Sequence, residues 1–242
     1  MSIFLFAAAA LGGALNSVAG GGSFIALPAL LYAGVPAVSA NATTTMALWP
    51  GSVSSAVAYR REITADRRWL LILSAVSLIG GLLGALLLVR TSDASFLRLL
   101  PWLMFVAAAT FTFGGSRRVG AAAVVRPIWL IVLLQFAIAI YGGYFGGGMG
   151  IMMLATLALS GMTDIHEMNG LKSVLGSAIN GIALAEFIFK GAVAWGPGLV
   201  MVVGGIAGGY VGASVARTID RRQVRTFVIV TAWLMTAYFF IR

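Results

Sequence analysis

The ionisable side chain best placed to meet a solute is Lys172. It stands in Asn169-Gly170-Leu171-Lys172-Ser173, inside a mainly apolar run from 165 to 189. An ionisable group at that depth in an apolar helix is a functional-site hypothesis by default. Glu167 is the nearest acid on its N-terminal side, five residues away, not the three or four that bring helix neighbours together. The simpler role is a lysine that snorkels to an interface. Earlier in the chain, Asn41-Ala42-Thr43-Thr44-Thr45 offers an amide and three hydroxyls without a charge. Such N–H and O–H donors suit an oxyanion where water is scarce. Asn16 and Asn180 are further candidates, with an interhelical hydrogen bond as their simpler role.

Two glycine clusters carry the second kind of chemistry. Gly20-Gly21-Gly22 precedes Ser23, and Gly146-Gly147-Gly148 precedes Met149. Three glycines in a row interrupt a helix and leave backbone N–H groups without intrahelical partners. In lipid such a break persists only when buried in protein or facing a cavity. The half-helices that follow would aim the positive ends of their dipoles into that cavity, which favours an anion. Their plainer role is a turn or a close helix contact.

The remaining polar groups have ordinary explanations. Glu186 and Lys190 are four apart with the acid first, an ion pair at a helix end. Asp164, His166 and Glu167 read as a capping turn with Asp164 as the cap, rather than as metal ligands. No P-loop, HExxH, GxSxG or pair of catalytic carboxylates is present. The reading is therefore a protein that is not an enzyme and needs no cofactor or metal. Without cysteine there is no disulfide framework or thiol chemistry.

The elements that must hold these groups follow from composition. Of 242 residues, 60% are hydrophobic and 10% charged, against about 25% charged in a soluble domain. Mean hydropathy is +1.00. Lipid accepts such a chain only as helices or a closed barrel. The apolar segments do not alternate in polarity as barrel strands do, so the expectation is a polytopic all-α membrane protein. The net charge of +9 does not point to nucleic acid. Its bases cluster at Arg60, Arg61, Arg67, Arg68, at Arg117, Arg118, Arg126 and at Arg217, Arg221, Arg222, Arg225, between the apolar runs. That is how loops lie beside an anionic leaflet. The first apolar stretch lacks the basic n-region of a signal peptide and runs directly into the first glycine cluster.

The chain also repeats itself. Gly20–Gly22 and Gly146–Gly148 are 126 apart, and Asn41 and Asn169 are 128 apart. Gly80-Gly81-x-x-Gly84-Ala85 matches Gly208-Gly209-x-x-Gly212-Ala213 at 128, and Thr91, Asp93 and Arg98 match Thr218, Asp220 and Arg225 at 127. The order predicts a first repeat over 1–116, a connecting loop over 117–126 and a second repeat over 127–242, together one transport domain. Each half opens on an interrupted element, 3–15 with 24–33 and 127–145 with 149–160. Apolar runs follow at 37–59, 70–89 and 96–113, then at 165–189, 193–216 and 223–241.

Charge chooses between two topologies. If each interrupted element spans, the repeats are parallel and the bases split nine to seven. If each dips in and returns, the second half is inverted. One side then holds twelve bases and the other only Arg90, Arg98, Lys190 and Arg242. The positive-inside rule favours inversion, with the N-terminus outside. Broken elements entering from opposite faces around a site are what inverted-repeat transporters contain. Against it, 127–145 alone is nearly the ~20 residues a span needs. The small-residue faces serve packing within a chain and between copies alike, so a homo-oligomer stays open as a partner beside the lipid bilayer.

With these features assembled, the sequence resembles the TauE/SafE family of membrane permeases, the sulfite exporter group. The resemblance lies in Asn16-x-x-x-Gly20-Gly21-Gly22-Ser23-Phe24-Ile25-x-x-Pro28, Gly34-Val35-Pro36 and Ala40-Asn41-Ala42-Thr43-Thr44-Thr45. In the second half it lies in Gly142-x-x-x-Gly146-Gly147-Gly148-x-Gly150 with Lys172-Ser173 downstream. It implies a multi-pass protein of the bacterial plasma membrane that moves small sulfur-containing anions such as sulfite or organosulfonates, usually outward. The glycine breaks and the stretches 41–45 and 169–173 would then line the path. Met153 and Leu154 depart from the pattern, standing where the first half has Leu27 and Pro28. The resulting reading is a secondary transporter of a small anion working by alternating access. A permease for another solute or metal ion is disfavoured by the scarcity of acids within the apolar runs, and a membrane assembly protein is the third reading.

Overall fold

A computed structural model describes residues 1–18, 21–64, 66–113, 127–215 and 221–241. Gly20 and the connecting loop expected at 117–126 lie outside these residues, as do Arg217, Thr218 and Asp220. Among the described residues the chain is all helix. α1 (Ser2–Val18) and α2 (Ser23–Tyr32) flank the first glycine cluster, followed by α3 (Ala37–Ala58), α4 (Arg67–Arg90) and α5 (Asp93–Phe113). α6 (Ile128–Tyr144) and α7 (Met149–Leu159) flank the second cluster, followed by α8 (Ile165–Phe189), α9 (Trp195–Val215) and α10 (Arg221–Ile241).

The boundaries follow from local chemistry. The Asp66 carboxylate accepts from the Arg68 amide at 3.2 Å and starts α4. Asp164 accepts from the His166 amide at 2.8 Å and caps α8, as its position predicts. Pro36 and Pro127 precede α3 and α6 without supplying a side-chain cap. α4, α5 and α8 are long and apolar enough to cross a membrane. α3 has the length, but Asn41 and Thr43–Thr45 lower its hydropathy. It can hold them because Asn41, Thr43 and Thr44 are buried in protein, away from lipid.

The connectors sort to two ends of the bundle. At the basic end, the Thr64 amide and hydroxyl both donate to Glu167 Oε1 (3.1 and 2.6 Å), joining the loop before α4 to the start of α8. At the far end, the Val38 amide donates to Asp93 Oδ1 at 2.7 Å and the Ala194 amide to Thr43 Oγ1 at 3.0 Å.

The helices flanking each glycine cluster pack on one another, α1 on α2 and α6 on α7. The Phe4 and Tyr32 ring centroids are 5.6 Å apart, so the start of α1 stands beside the end of α2, at the far end. α6 runs parallel to α4: Gln135 Nε2 donates to Ser77 Oγ at 2.8 Å, and Gly80 and Gly84 lie further along against Ala139 and Tyr144. It therefore starts at the basic end. α7 returns there, where Leu157 belongs to the apolar cluster of Leu73 and Met168, with Ile63, Trp69 and Met162 packed on it.

Glycines set how closely these helices approach. Gly84 of α4 faces the Ile140 carbonyl of α6, and Gly208 of α9 faces the Ala10 carbonyl of α1. The small-residue faces read from the sequence thus bring backbones together within the chain. α1 rests on α9, and α6 on α4.

Candidate functional site

The second glycine break is the better defined. Gly146 and Gly148 have φ of +82° and +80°, values that L side chains rarely adopt. Between them the Gly147 carbonyl is held by the Tyr141 hydroxyl, which donates to it at 2.7 Å and lies 3.1 Å from the Leu103 carbonyl. Gly148 then opens α7 with no side-chain cap, so the first amides of α7 have no side-chain acceptor. Tyr141 was missed in the sequence reading. A phenol in an apolar run one residue before Gly142 was the available signal.

Lys172 lies against the start of α7. A Cβ placed on Gly150 would sit 3.3 Å from Lys172 Cδ. Lys172 Nζ donates to Asn169 Oδ1 at 3.0 Å, and Asn169 Nδ2 donates back along its helix to the Ile165 carbonyl at 2.9 Å. Among the described residues no carboxylate lies within ion-pair distance of Lys172; the salt bridge found joins Lys190 to Glu186, as their spacing predicts. Asn180 sits two turns further along α8, its Oδ1 3.9 Å from where a Gly146 Cβ would be. Ser173 is buried on the same helix.

The first-half residues are placed differently. Asn41 Nδ2 reaches across to donate to the Tyr144 carbonyl at 2.9 Å, two residues before Gly146. Thr44 Oγ1 donates to Ala40 O at 2.8 Å and Thr45 Oγ1 to Asn41 O at 3.2 Å, so these hydroxyl protons are spent on their own helix. Thr43 holds the α8–α9 connector through its contact with the Ala194 amide. Asn16 packs beside Gly22, and Gly21 against Val228 of α10. Ser23 is the first residue of α2 and is half-buried.

One side chain joins the two breaks. Phe111 of α5 is fully buried. Its ring lies 5.9 Å from that of Phe24, one residue into α2, and 3.6 Å from a Cβ built on Gly148. The N-terminal ends of α2 and α7 thus converge on one phenylalanine. At the far end a cavity of about 330 Å³ opens between Val38, Leu86, Val89, Arg90, Lys190 and Ala192.

The Tyr141 contact gives a direct test. Tyr141→Phe removes one hydrogen bond, a net ~1 kcal/mol, and frees the Gly147 carbonyl to turn toward the α7 amides. Solute flux in liposomes is expected to fall about fivefold at unchanged insertion. Wild-type flux would show that the break does not need this tie.

The candidate site is therefore a pair of helix breaks with nearby donors and the Lys172 ammonium, which has no carboxylate partner among the described residues, in a polytopic bundle. Residues 5–239 match the family described as Sulfite exporter TauE/SafE. The chain belongs to this family and is a multi-pass membrane transporter. It is 30% identical over 233 residues to a "Probable membrane transporter protein ORF9" of Sinorhizobium sp, covering 95% of this chain and 88% of that protein. A "Probable membrane transporter protein" of Haemophilus influenzae is 29% identical over 230 residues, with 92% and 88% covered. "Probable membrane transporter protein YfcA" of Escherichia coli is 28% identical over 238 residues, with 96% and 87% covered. No solved structure matches the chain significantly.

Proposed function

We propose that this protein is a secondary transporter of a small sulfur-containing anion such as sulfite or an organosulfonate, moving it outward across the bacterial plasma membrane by alternating access. The observation that carries this reading is Lys172, an ammonium without a carboxylate partner among the described residues, set against the first turn of α7. A cation, the side-chain-uncapped start of α7 and amide side chains form a donor-rich region. An anion with several acceptor oxygens satisfies it; a metal cation would meet repulsion and few acceptors. The family description is in keeping with this solute class.

The halves act as inverted repeats in this reading. The α1–α2 hairpin opens at the far end and the α6–α7 hairpin at the basic end. Their packing corresponds element for element: α1 on α9 answers α6 on α4, and α3 on α9 answers α8 on α4. Because the halves lend each other helices, the moving bodies are not the two sequence halves. α1, α2 and α9 form one, and α4, α6 and α7 the other, rocking about the α3–α8 contact.

Exchange of labelled sulfite in liposomes tests the solute. Saturable exchange, competed by an organosulfonate, is expected; no sulfite flux together with tight binding of another ligand would overturn the reading. Single cysteines at Arg61, Arg118 and Arg222 test the topology. All three should react from the cytoplasmic side. Labelling of Arg222 from the outside would restore the parallel arrangement.

A further inference from the structure

The donors that remain open are not shared equally between the two central helices. On α3, Asn41, Thr43, Thr44 and Thr45 all have protein partners. On α8, beyond the Lys172–Asn169 pair, polar groups remain open. Ser177 Oγ is buried without a hydrogen-bond partner among the described residues. Asn180 is half-buried, and its side chain makes no hydrogen bond to the described residues. A buried polar group left unsatisfied is costly and calls for an explanation.

The neighbours of α8 show where these groups face. Gly176 faces the Met149 methyl at 3.7 Å, on the α7 side. Gly181 faces the Trp49 indole at 3.2 Å, on the α3 side, and Trp49 Nε1 donates to the Ser177 carbonyl at 3.0 Å. At 3.6 residues per turn, Asn169, Ser173, Gly176 and Asn180 fall within about 60° of one another, with Ser177 about 60° from Asn180 on the side toward Trp49. A polar strip thus runs along α8 between α7 and Trp49. It begins beside Lys172 and ends opposite the Gly146 break.

We infer that Ser177 and Asn180 form a second station for the anion, held by neutral hydroxyl and amide donors about two turns beyond Lys172 toward the far end. The inference rests on the anion-transport reading above and adds to it a direction and a chemistry. The ammonium collects the anion from the basic end. The neutral station then receives it without a second positive charge that would trap it. The ligand class is a small oxyanion with at least two acceptor oxygens, taking one bond from the Ser177 hydroxyl and one from the Asn180 amide.

The experiment is labelled sulfite exchange by the full chain in liposomes, with KM and maximal rate measured separately and melting temperature as a second readout. The variants are Ser177→Ala and Asn180→Asp, alongside Lys172→Met. Asn180→Asp keeps the shape but replaces the donors with a repelling carboxylate. Both station variants are expected to raise KM at least fivefold, with Ser177→Ala melting no lower than wild type. Wild-type KM in both, with Ser177→Ala raising only the melting temperature, would mean the hydroxyl is merely an unsatisfied group, and the station falls. If Lys172→Met loses exchange in that same experiment, the anion-transport reading survives that failure. A wild-type protein that moves neither sulfite nor methanesulfonate overturns both.

Discussion

Lys172→Met is expected to reduce anion exchange by more than ~100-fold while the protein inserts normally and melts at a higher temperature. The two effects have one cause. Methionine matches the lysine stem in length and flexibility, so contact with Gly150 is kept. What is removed is an ammonium whose described partner is the neutral Asn169 Oδ1. In the empty protein this charge is taken from water without an opposite charge to offset the loss, and its removal relieves that cost. In the proposed function, a bound anion would make a charge-assisted contact with the same ammonium. Truncating one member of such a pair costs roughly 3 kcal/mol, about a hundredfold. A structural lysine would behave in the opposite way, with stability falling and flux surviving. Flux at subsaturating sulfite, read beside the melting temperature in detergent, separates the two. Normal flux would remove Lys172 from the site.

Much of this arrangement was legible in the sequence, for identifiable reasons. Helix limits were, because glycine, proline and charge punctuate every apolar run; the stretch 165–189 is α8 to the residue. Asp164 as a cap and Glu186 with Lys190 as a pair follow from spacing alone, and both are found. Residues 41–45 show where such reading stops. Type and repeat position made the threonines equivalent candidates, but a hydroxyl's direction is set by its rotamer. Thr44 and Thr45 turn back on their own carbonyls while Thr43 faces the α8–α9 connector. Phe111 was invisible for another reason. One phenylalanine among fourteen acquires meaning only when tertiary packing sets it between Phe24 and Gly148. The pairing of α1 with α9 and of α6 with α4 was likewise absent, since periodicity reports which face is small and not which helix meets it. Gly80-Gly81-x-x-Gly84 predicts a close contact, but only the fold names α6 as the partner.

That contact sets the second large expectation, that Gly84→Ala destabilises the protein by about 2–3 kcal/mol and Gly84→Leu prevents folding. A Cβ at Gly84 would run into the Ile140 carbonyl oxygen and lie 2.7 Å from the Tyr144 amide nitrogen and 3.0 Å from the Gly143 carbonyl carbon. All three are backbone atoms, so no rotamer change relieves the clash; α6 itself must move. Its end is tied down on two sides, by Asn41 through the Tyr144 carbonyl and by Tyr141 through the Gly147 carbonyl. Displacing α6 therefore pulls on the glycine break and on the start of α7 beside Lys172, so transport should fall further than the population of folded protein. Gly208→Ala, which meets the Ala10 carbonyl of α1, is expected to act alike at the first hairpin. Gly51→Ala is the control. It lies within α3 with nothing inside 4 Å of a new Cβ, and a mid-helix alanine is favoured over glycine by up to about 1 kcal/mol. Melting temperatures in one detergent should therefore fall for Gly84→Ala and Gly208→Ala and hold or rise for Gly51→Ala. A Gly84→Ala protein that melts with the wild type would mean that α4 and α6 do not meet backbone to backbone. The position of the second glycine break would then need another explanation.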